Sequence, residues 1–138
     1  IPLQRIAYNA IPSVVYTNPE IACIGLTEKD LNEIKEGDFA PSMSTDEPFV
    51  PYEVHKLPMT FSGRFVAENE GEMGLCKVIV DKRNKTLIGV HMIGNPCSEF
   101  VAAASFAVRM GYTVAEFKQV VFPHPTVGEV LREVIMEA

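Results

Sequence analysis

One short segment near the end of the sequence holds residues that could carry out acid–base chemistry: Pro123-His124-Pro125-Thr126-Val127-Gly128-Glu129. The prolines restrict the backbone around His124, which we predict to lie in an extended stretch just before a helix. Glu129 would then occupy the third helical position. From there its carboxylate can point back toward the entering chain and accept a hydrogen bond from the imidazole N–H of His124. Such a bond fixes the tautomer of the ring and raises its basicity, so the segment could supply a general base.

The same segment also has a purely structural interpretation. Thr126 and Glu129 have the spacing of a capping box, in which a hydroxyl and a carboxylate satisfy the free N–H groups at a helix start. The positive end of the helix dipole disfavours an imidazolium at His124 by about 0.3–1 kcal/mol, although a hydrogen-bonded carboxylate beside the ring would outweigh it. The residues alone therefore leave both roles open.

Other patterns that carry chemistry are absent from the sequence. The nine glycines form neither GxGxxG nor GxxxxGK[ST], and there is no GxSxG nucleophile elbow. The three cysteines are widely spaced, which offers no zinc site and favours a reducing compartment, and we interpret them as small buried hydrophobic residues: Cys23, Cys76 and Cys97. We expect structural roles for His55 and His91.

The composition limits the classes of partner. The 138 residues fit one domain, and a net charge of −6 without basic clusters argues against a nucleic-acid binder. No apolar run approaches the ~20 residues that a membrane span needs. Because the first residue is Ile1 and no signal peptide follows, we expect a soluble, cytoplasmic chain that begins partway into a longer protein.

Local patterns predict an α+β fold with a mostly antiparallel sheet and helices packed on one face. The clearest signal is a hairpin, whose strands 73–80 and 86–93 are rich in valine and isoleucine. The other predicted elements are two strands within 13–26, a helix capped by Thr27 and ended by Gly37, a loop over 38–58 with room for one strand, an edge strand over 60–68, a helix from Asn95-Pro96 to Gly111, a short helix after Thr113, and a final helix over 126–137.

The helix after Pro96 contains the sequence FVAAASFAV, residues 100–108, which is apolar at nearly every position. A helix that is apolar all round must be covered on more than one side. The sheet can cover one side, and either a second layer of the same chain or a second subunit must cover the other. Both possibilities remain open at this point.

Two motifs give the chain a resemblance to a known family. The pattern His-Pro-Thr-x-x-Glu near the end, in PHPTVGE, resembles the signature of the pyridine nucleotide-disulfide oxidoreductases. The opening IPSVVYTNPEIACIGLTE and the later LIGVHMIGNPCSEFVAAASFAVRMGYTVAEF resemble the C-terminal interface domain of that family. Its Tyr-Thr-x-Pro-Glu form is most similar to that of dihydrolipoamide dehydrogenases, and the likeness covers nearly the whole chain.

The resemblance implies roles for the residues already singled out. His124 would take a proton from a dihydrolipoamide thiol, and the thiolate would attack a redox disulfide of the partner subunit. Glu129 would orient and polarise His124. A cis peptide bond is implied before Pro125, with the His124 carbonyl facing the flavin of the other subunit.

A second set of implications concerns the cofactors. Another cis bond is implied before Pro19, and Val14 and Tyr16 would lie beside the flavin and the nicotinamide. FAD and NAD would serve the full-length enzyme, whereas this chain alone would bind neither. Residues 1–138 would form a single C-terminal dimerisation domain of a homodimer, inactive on its own, because the flavin-binding and NAD-binding glycines and the paired redox cysteines are missing.

The sequence also departs from the family and leaves rival interpretations. Residues 40–52 look like an insertion between a helix and a strand. The chain could instead be a stand-alone protein-interaction module, or the interface domain of another disulfide reductase. An acidic face docking the subunit-binding domain of a 2-oxoacid dehydrogenase acyltransferase would fit both the enzyme and the module.

Overall fold

A five-stranded antiparallel sheet forms the centre of the chain. The computed structural model describes residues 6–33 and 50–138, so the predicted helix end at Gly37 and most of the 40–52 insertion lie outside the described residues. The strand order is β1-β2-β5-β4-β3, and every neighbouring pair is antiparallel. The strands are β1 Ser13–Val15, β2 Ile21–Gly25, β3 Tyr52–Leu57, β4 Leu75–Asp81 and β5 Leu87–Ile93.

The helices are short except for one. They are α1 Glu28–Glu33, α2 Gly63–Glu68, α3 Cys97–Met110, α4 Val114–Phe117 and α5 Glu129–Met136, with single 3₁₀ turns at Tyr8–Ala10 and Met59–Phe61. Helix α3 packs on β2 and β5, and α5 packs on β3 and β4, so the main core lies between these helices and one face of the sheet. The predicted α+β fold is confirmed. A smaller cluster around Leu31 and Ile79 covers part of the other face.

The β4–β5 hairpin follows the alternation that its sequence predicts. Cys76, Val78 and Val80 point into the main core, while Ile79 contributes to the smaller cluster behind the sheet. The turn closes with a bond of 2.8 Å from the Lys85 N–H to the Asp81 carbonyl. The hairpin prediction is therefore confirmed.

The predicted edge strand over 60–68 is wrong, because this stretch forms a 3₁₀ turn followed by α2. Ser62 starts the helix by accepting a hydrogen bond of 3.2 Å from the Phe65 N–H, and Phe65 is fully buried in the core. The edge of the sheet beside β4 is taken by β3 instead. A serine cap and one buried aromatic side chain outweigh the strand preference of the neighbouring threonine, phenylalanine and valine.

Helix α3 ends as predicted but starts differently. Gly111 terminates it with a left-handed φ of 64°, a conformation that glycine adopts without a steric cost. Asn95 does not cap it, because its Oδ1 accepts from the Glu20 N–H at 2.9 Å. The Glu20 carboxylate instead accepts a hydrogen bond of 3.0 Å from the Ser98 N–H in the first turn of the helix. These two hydrogen bonds connect the start of strand β2 to the start of helix α3.

Within residues 6–33 and 50–138, three prolines follow cis peptide bonds. The bonds before Pro19 and Pro125, which the family resemblance implies, are both cis, and a third before Pro96 was not predicted. None of the described helices combines the length and the apolar character that crossing a membrane would require.

Candidate functional site

His124 and Glu129 form a direct hydrogen-bonded pair. The Nδ1 atom of His124 lies 2.8 Å from Oε1 of Glu129. The imidazole is 82% exposed, while the carboxylate is only 20% exposed and sits at the first turn of α5. The contact that the five-residue spacing predicts is therefore present, with the ring presented to the outside and its partner held against the protein.

The neighbouring backbone holds the carboxylate in place. The second oxygen of Glu129 accepts from the Thr126 N–H at 2.7 Å. The hydroxyl of Thr126 donates to the Pro123 carbonyl at 2.8 Å and does not cap the helix, so the predicted capping role of that hydroxyl is wrong. Helix α5 begins at Glu129, and only the carboxylate half of the capping box forms.

These contacts define the charge and the tautomer of the pair. The backbone N–H of Thr126, aided by His124 and the charge of Arg132, holds the pKa of Glu129 below its usual value despite partial desolvation. An ionised carboxylate can only accept, so Nδ1 of His124 must carry the proton that it donates. In the neutral ring Nε2 is then the basic nitrogen, and the arrangement can remove a proton from a group that reaches it.

Two open cavities flank the segment that carries His124. One, of about 450 Å³, lies between α2, the start of α3 and residues 122–128, and its walls include Phe100, Phe122 and Val127. The other, of about 280 Å³, is more polar and is lined by Lys118, Arg132 and Glu129 among others. Phe122, two residues before His124, lines both cavities.

The other predicted site residues are Val14, Tyr16 and Pro125. Val14 is in edge strand β1 and packs partly against the main core, and Tyr16 follows that strand with 79% of its side chain exposed. Pro125 is exposed beside His124. Within residues 6–33 and 50–138, no hydrogen bond connects Val14 or Tyr16 to the His124–Glu129 pair, so their contact with a cofactor stays a prediction.

The cysteines and the remaining histidines are parts of the scaffold. Burial raises the pKa of Cys76 to about 12 and that of Cys97 to about 11, so neither thiol ionises near neutral pH. Burial also lowers the pKa of His91, whose Nε2 lies 2.9 Å from the Leu26 carbonyl. The Nε2 of His55 is buried without a hydrogen-bond partner.

No metal centre is found in the part of the chain that the structure describes. There, no group of three or more His, Cys, Asp or Glu side chains is arranged to hold an ion. All three cysteines are free rather than paired in a disulfide.

Sequence reasoning missed a buried residue that contacts this site. The hydroxyl of Ser62 donates to the Thr126 carbonyl at 2.8 Å, although 64 residues separate the two in the chain. Ser62 stands three residues before Phe65, and a serine in that position is typical of a helix N-cap. The sequence therefore contained a signal for its first contact. Nothing in the sequence pointed to its second contact.

Comparison with known families gives a match over most of the chain. The family model described as "Pyridine nucleotide-disulphide oxidoreductase, dimerisation domain" matches residues 11–135. These residues include the whole sheet, α3, and the His124–Glu129 pair. The match agrees with the resemblance carried by the sequence motifs.

Curated relatives point in the same direction. The mitochondrial dihydrolipoyl dehydrogenase of Caenorhabditis elegans is 36% identical over 134 residues, which are 97% of this chain and 24% of the relative. The dihydrolipoyl dehydrogenase of Thermus scotoductus is 36% identical over 123 residues, 89% of this chain and 23% of the relative. The chain thus spans about a quarter of the length of these curated relatives.

Solved structures show the same fold. LpdA from Mycobacterium tuberculosis superimposes with a TM-score of 0.79 at 21% identity, covering 98% of this chain and 26% of that one. The HOCl-induced flavoprotein disulfide reductase RclA from Escherichia coli, in its Cu(II) complex, gives 0.77 at 18% identity, covering 95% and 26%. At these identities the similarity establishes the architecture alone.

Proposed function

Since this chain belongs to the family of pyridine nucleotide-disulphide oxidoreductase dimerisation domains, we propose that it forms the subunit contact of a homodimeric dihydrolipoyl dehydrogenase. In this proposal the chain also contributes His124 and Glu129 to the active site of the partner subunit. The observation that carries the proposal is the 2.8 Å bond between a largely exposed imidazole and a carboxylate that the backbone holds ionised.

The proposed step is a proton transfer followed by thiol–disulfide exchange. His124 takes a proton from a dihydrolipoamide thiol at Nε2, while Glu129 stabilises the imidazolium through Nδ1. The thiolate then attacks one sulfur of the partner's redox disulfide, so that a mixed disulfide forms and the other sulfur leaves as a thiolate. The second thiol of dihydrolipoamide gives its proton to the released cysteine thiolate and attacks the mixed disulfide, which closes the disulfide of lipoamide. The other cysteine sulfur leaves as a thiolate and takes the proton held at Nε2 of His124.

The cofactors of the whole protein are FAD and NAD in this proposal. The chain has no glycine-rich phosphate-binding loop, so other domains would hold both groups, and this chain would offer exposed residues such as Tyr16, His124 and Pro125. When bound, FAD would supply the electron acceptor for the reduced disulfide, and NAD⁺ would supply the final hydride acceptor. The exposed positions of Tyr16 and His124 are compatible with contact to such groups across an interface.

The test is His124→Gln in the full-length protein that we propose contains this chain. We expect oxidation of dihydrolipoamide to fall about 10²–10⁴-fold, the range that a positioned general base supplies. Reduction of a dye by NADH does not need this proton transfer and should be largely retained. His55→Gln is the matched control, because His55 lies in β3 and its Nε2 is 3.7 Å from a carboxylate oxygen of Glu53, beyond hydrogen-bond distance. If both activities of His124→Gln fell together with loss of the dimer, the role of His124 would be structural.

A further inference from the structure

We propose that Ser62 is a positioning residue for the His124–Glu129 pair, an inference that rests on the function proposed above. Ser62 is one of two buried polar residues in the described part of the chain, with 3% of its surface exposed. The other, Asp81, binds Arg83 in the hairpin turn. Ser62 instead lies where α2 meets the segment that carries His124.

The hydroxyl of Ser62 makes two bonds of opposite sense. It accepts from the Phe65 N–H at 3.2 Å, which starts α2, and it donates to the Thr126 carbonyl at 2.8 Å. A hydroxyl is the smallest side-chain group that can do both at once. Since both partners are backbone groups close to the core, the serine couples two segments that are 64 residues apart in the chain.

The backbone of Thr126 connects Ser62 to the His124–Glu129 pair. Its carbonyl is held by Ser62, its N–H donates to Glu129 at 2.7 Å, and its hydroxyl donates to the Pro123 carbonyl at 2.8 Å. The N–H and the carbonyl of Thr126 thus connect Ser62 to the Glu129 carboxylate, whose other oxygen binds Nδ1 of His124. Ser62 therefore acts through Thr126 and Glu129, without touching a reacting atom.

The surroundings place this bond beside an open cavity. Pro123, Thr126 and Gly128 of the segment line the cavity of about 450 Å³, while Val127 is buried in the main core. Arg64 and Glu68 of α2 stand on the wall of the larger cavity and pair with each other at 2.6 Å. Ser62 supplies the direct polar contact from the start of α2 to the segment.

The test uses NMR on this chain with five variants, of which Glu129→Gln is the reference for loss of the pair. Ser62→Ala removes both bonds of the hydroxyl, whereas Ser62→Gly removes the donor but leaves a residue that is nearly as good at a helix start. Ser62→Thr keeps the hydroxyl. Ala67→Gly weakens α2 from an exposed position and is the matched control for helix stability.

Two signals are followed: hydrogen exchange of the Thr126 amide, and the resonance of the proton on Nδ1 of His124. With Ser62→Gly and Ser62→Ala we expect Thr126 exchange to accelerate on the order of tenfold, the effect of losing about one hydrogen bond. The Nδ1 signal should move toward that of Glu129→Gln. Ser62→Thr should restore both signals, and Ala67→Gly should change neither.

The outcomes separate this inference from the function on which it rests. If Glu129→Gln shifts the Nδ1 signal but Ser62→Gly matches the unsubstituted chain, the inference about Ser62 is wrong and the proposed pair stands. If Ala67→Gly reproduces the effects of Ser62→Gly, helix stability explains them and the inference is also wrong. If Glu129→Gln leaves the Nδ1 signal unchanged, both the pair and the role of Ser62 are overturned.

Discussion

At the scale of single residues, both oxygens of the Glu129 carboxylate are already engaged. One oxygen accepts a hydrogen bond from the backbone N–H of Thr126, and the other accepts one from Nδ1 of His124. This division explains how one side chain can fix the start of α5 and orient the imidazole at the same time. The carboxylate half of the capping box and the proposed acid–base role are therefore compatible.

The lowered pKa of Glu129 predicts a dependence of stability on pH. A carboxyl whose pKa is lower in the folded than in the unfolded chain stabilises the fold above its ordinary pKa of 4.5. That contribution disappears as the pH falls through the lowered value. We expect the stability advantage of the unsubstituted chain over Glu129→Gln to be constant near neutrality and to shrink below about pH 4.5.

Denaturant unfolding of both chains at a series of pH values measures this difference. If the free energies of unfolding of the two chains keep a constant difference down to the most acidic pH, the fold does not stabilise the ionised form of Glu129. His124 must be kept in both chains, because its bond to Glu129 also contributes to the lowered pKa.

The contact between His124 and Glu129 could be predicted from sequence because all of its determinants lie within seven residues. Two prolines and a helix start restrict the backbone enough to bring position 129 back to position 124. Ser62 could not be predicted in the same way, since its bond to Thr126 depends on how α2 docks on the segment. That docking is a property of the tertiary structure.

At the scale of the elements, local hydrogen-bond signals predicted several boundaries correctly. Thr27 and Asp30 form reciprocal bonds of 3.1 and 2.8 Å at the start of α1, and Thr113 and Glu116 do the same at α4. The helix after Asn95 shows the limit of such signals. The Asn95 side chain binds Glu20 and Asn18 instead, because the fold brings the β1–β2 turn beside it.

The capping box of α4 makes a prediction about stability. The Thr113 hydroxyl accepts from the Glu116 N–H at 3.2 Å, so Thr113→Ala leaves that donor without its partner. We expect a loss of about 0.5–2 kcal/mol in the free energy of unfolding. Thr60→Ala, at an exposed threonine of the 3₁₀ turn, is the control. Equal losses in the two variants, measured by urea denaturation, would show that the box contributes nothing.

At the scale of the whole molecule, α3 leaves an apolar face uncovered. Its inner side packs on the sheet, with Ala104 and Ala107 fully or almost fully buried. Its outer side exposes Ala102, Phe106 and Met110, which are four residues apart and share one face. Phe106 is 69% exposed and Met110 63% exposed. Within the described residues, the sheet and the 3₁₀ turn Tyr8–Ala10 pack against α3, and this outer face stays exposed.

We expect a second copy of the chain to cover this face. Light scattering over a range of concentrations should give the mass of a dimer, and Phe106→Glu should shift it toward a monomer, since a buried unpaired charge is strongly unfavourable. Val66→Glu introduces the same charge at a half-exposed position on α2 and should leave the mass unchanged. A monomer at every concentration would mean that the dimer needs residues beyond this chain.

The sheet and the main helices could be predicted because alternating valine and isoleucine and well-capped segments act locally. The association of subunits could only be inferred from the excess of apolar residues in 100–108. An apolar helix is compatible with a central helix in one chain or with a contact between two. Only the docking of α3 on β2 and β5 shows which side remains exposed.

The most direct test of the central claim is the activity of hybrid dimers of the full-length protein. One subunit carries His124→Gln, and the other lacks its redox cysteines, so that neither homodimer oxidises dihydrolipoamide. If His124 serves the partner subunit, one of the two sites in each hybrid combines an intact disulfide with an intact histidine, and activity returns on mixing and reassembly. If His124 serves its own subunit, every site in the hybrid is defective, and the absence of activity in a verified hybrid would contradict the account.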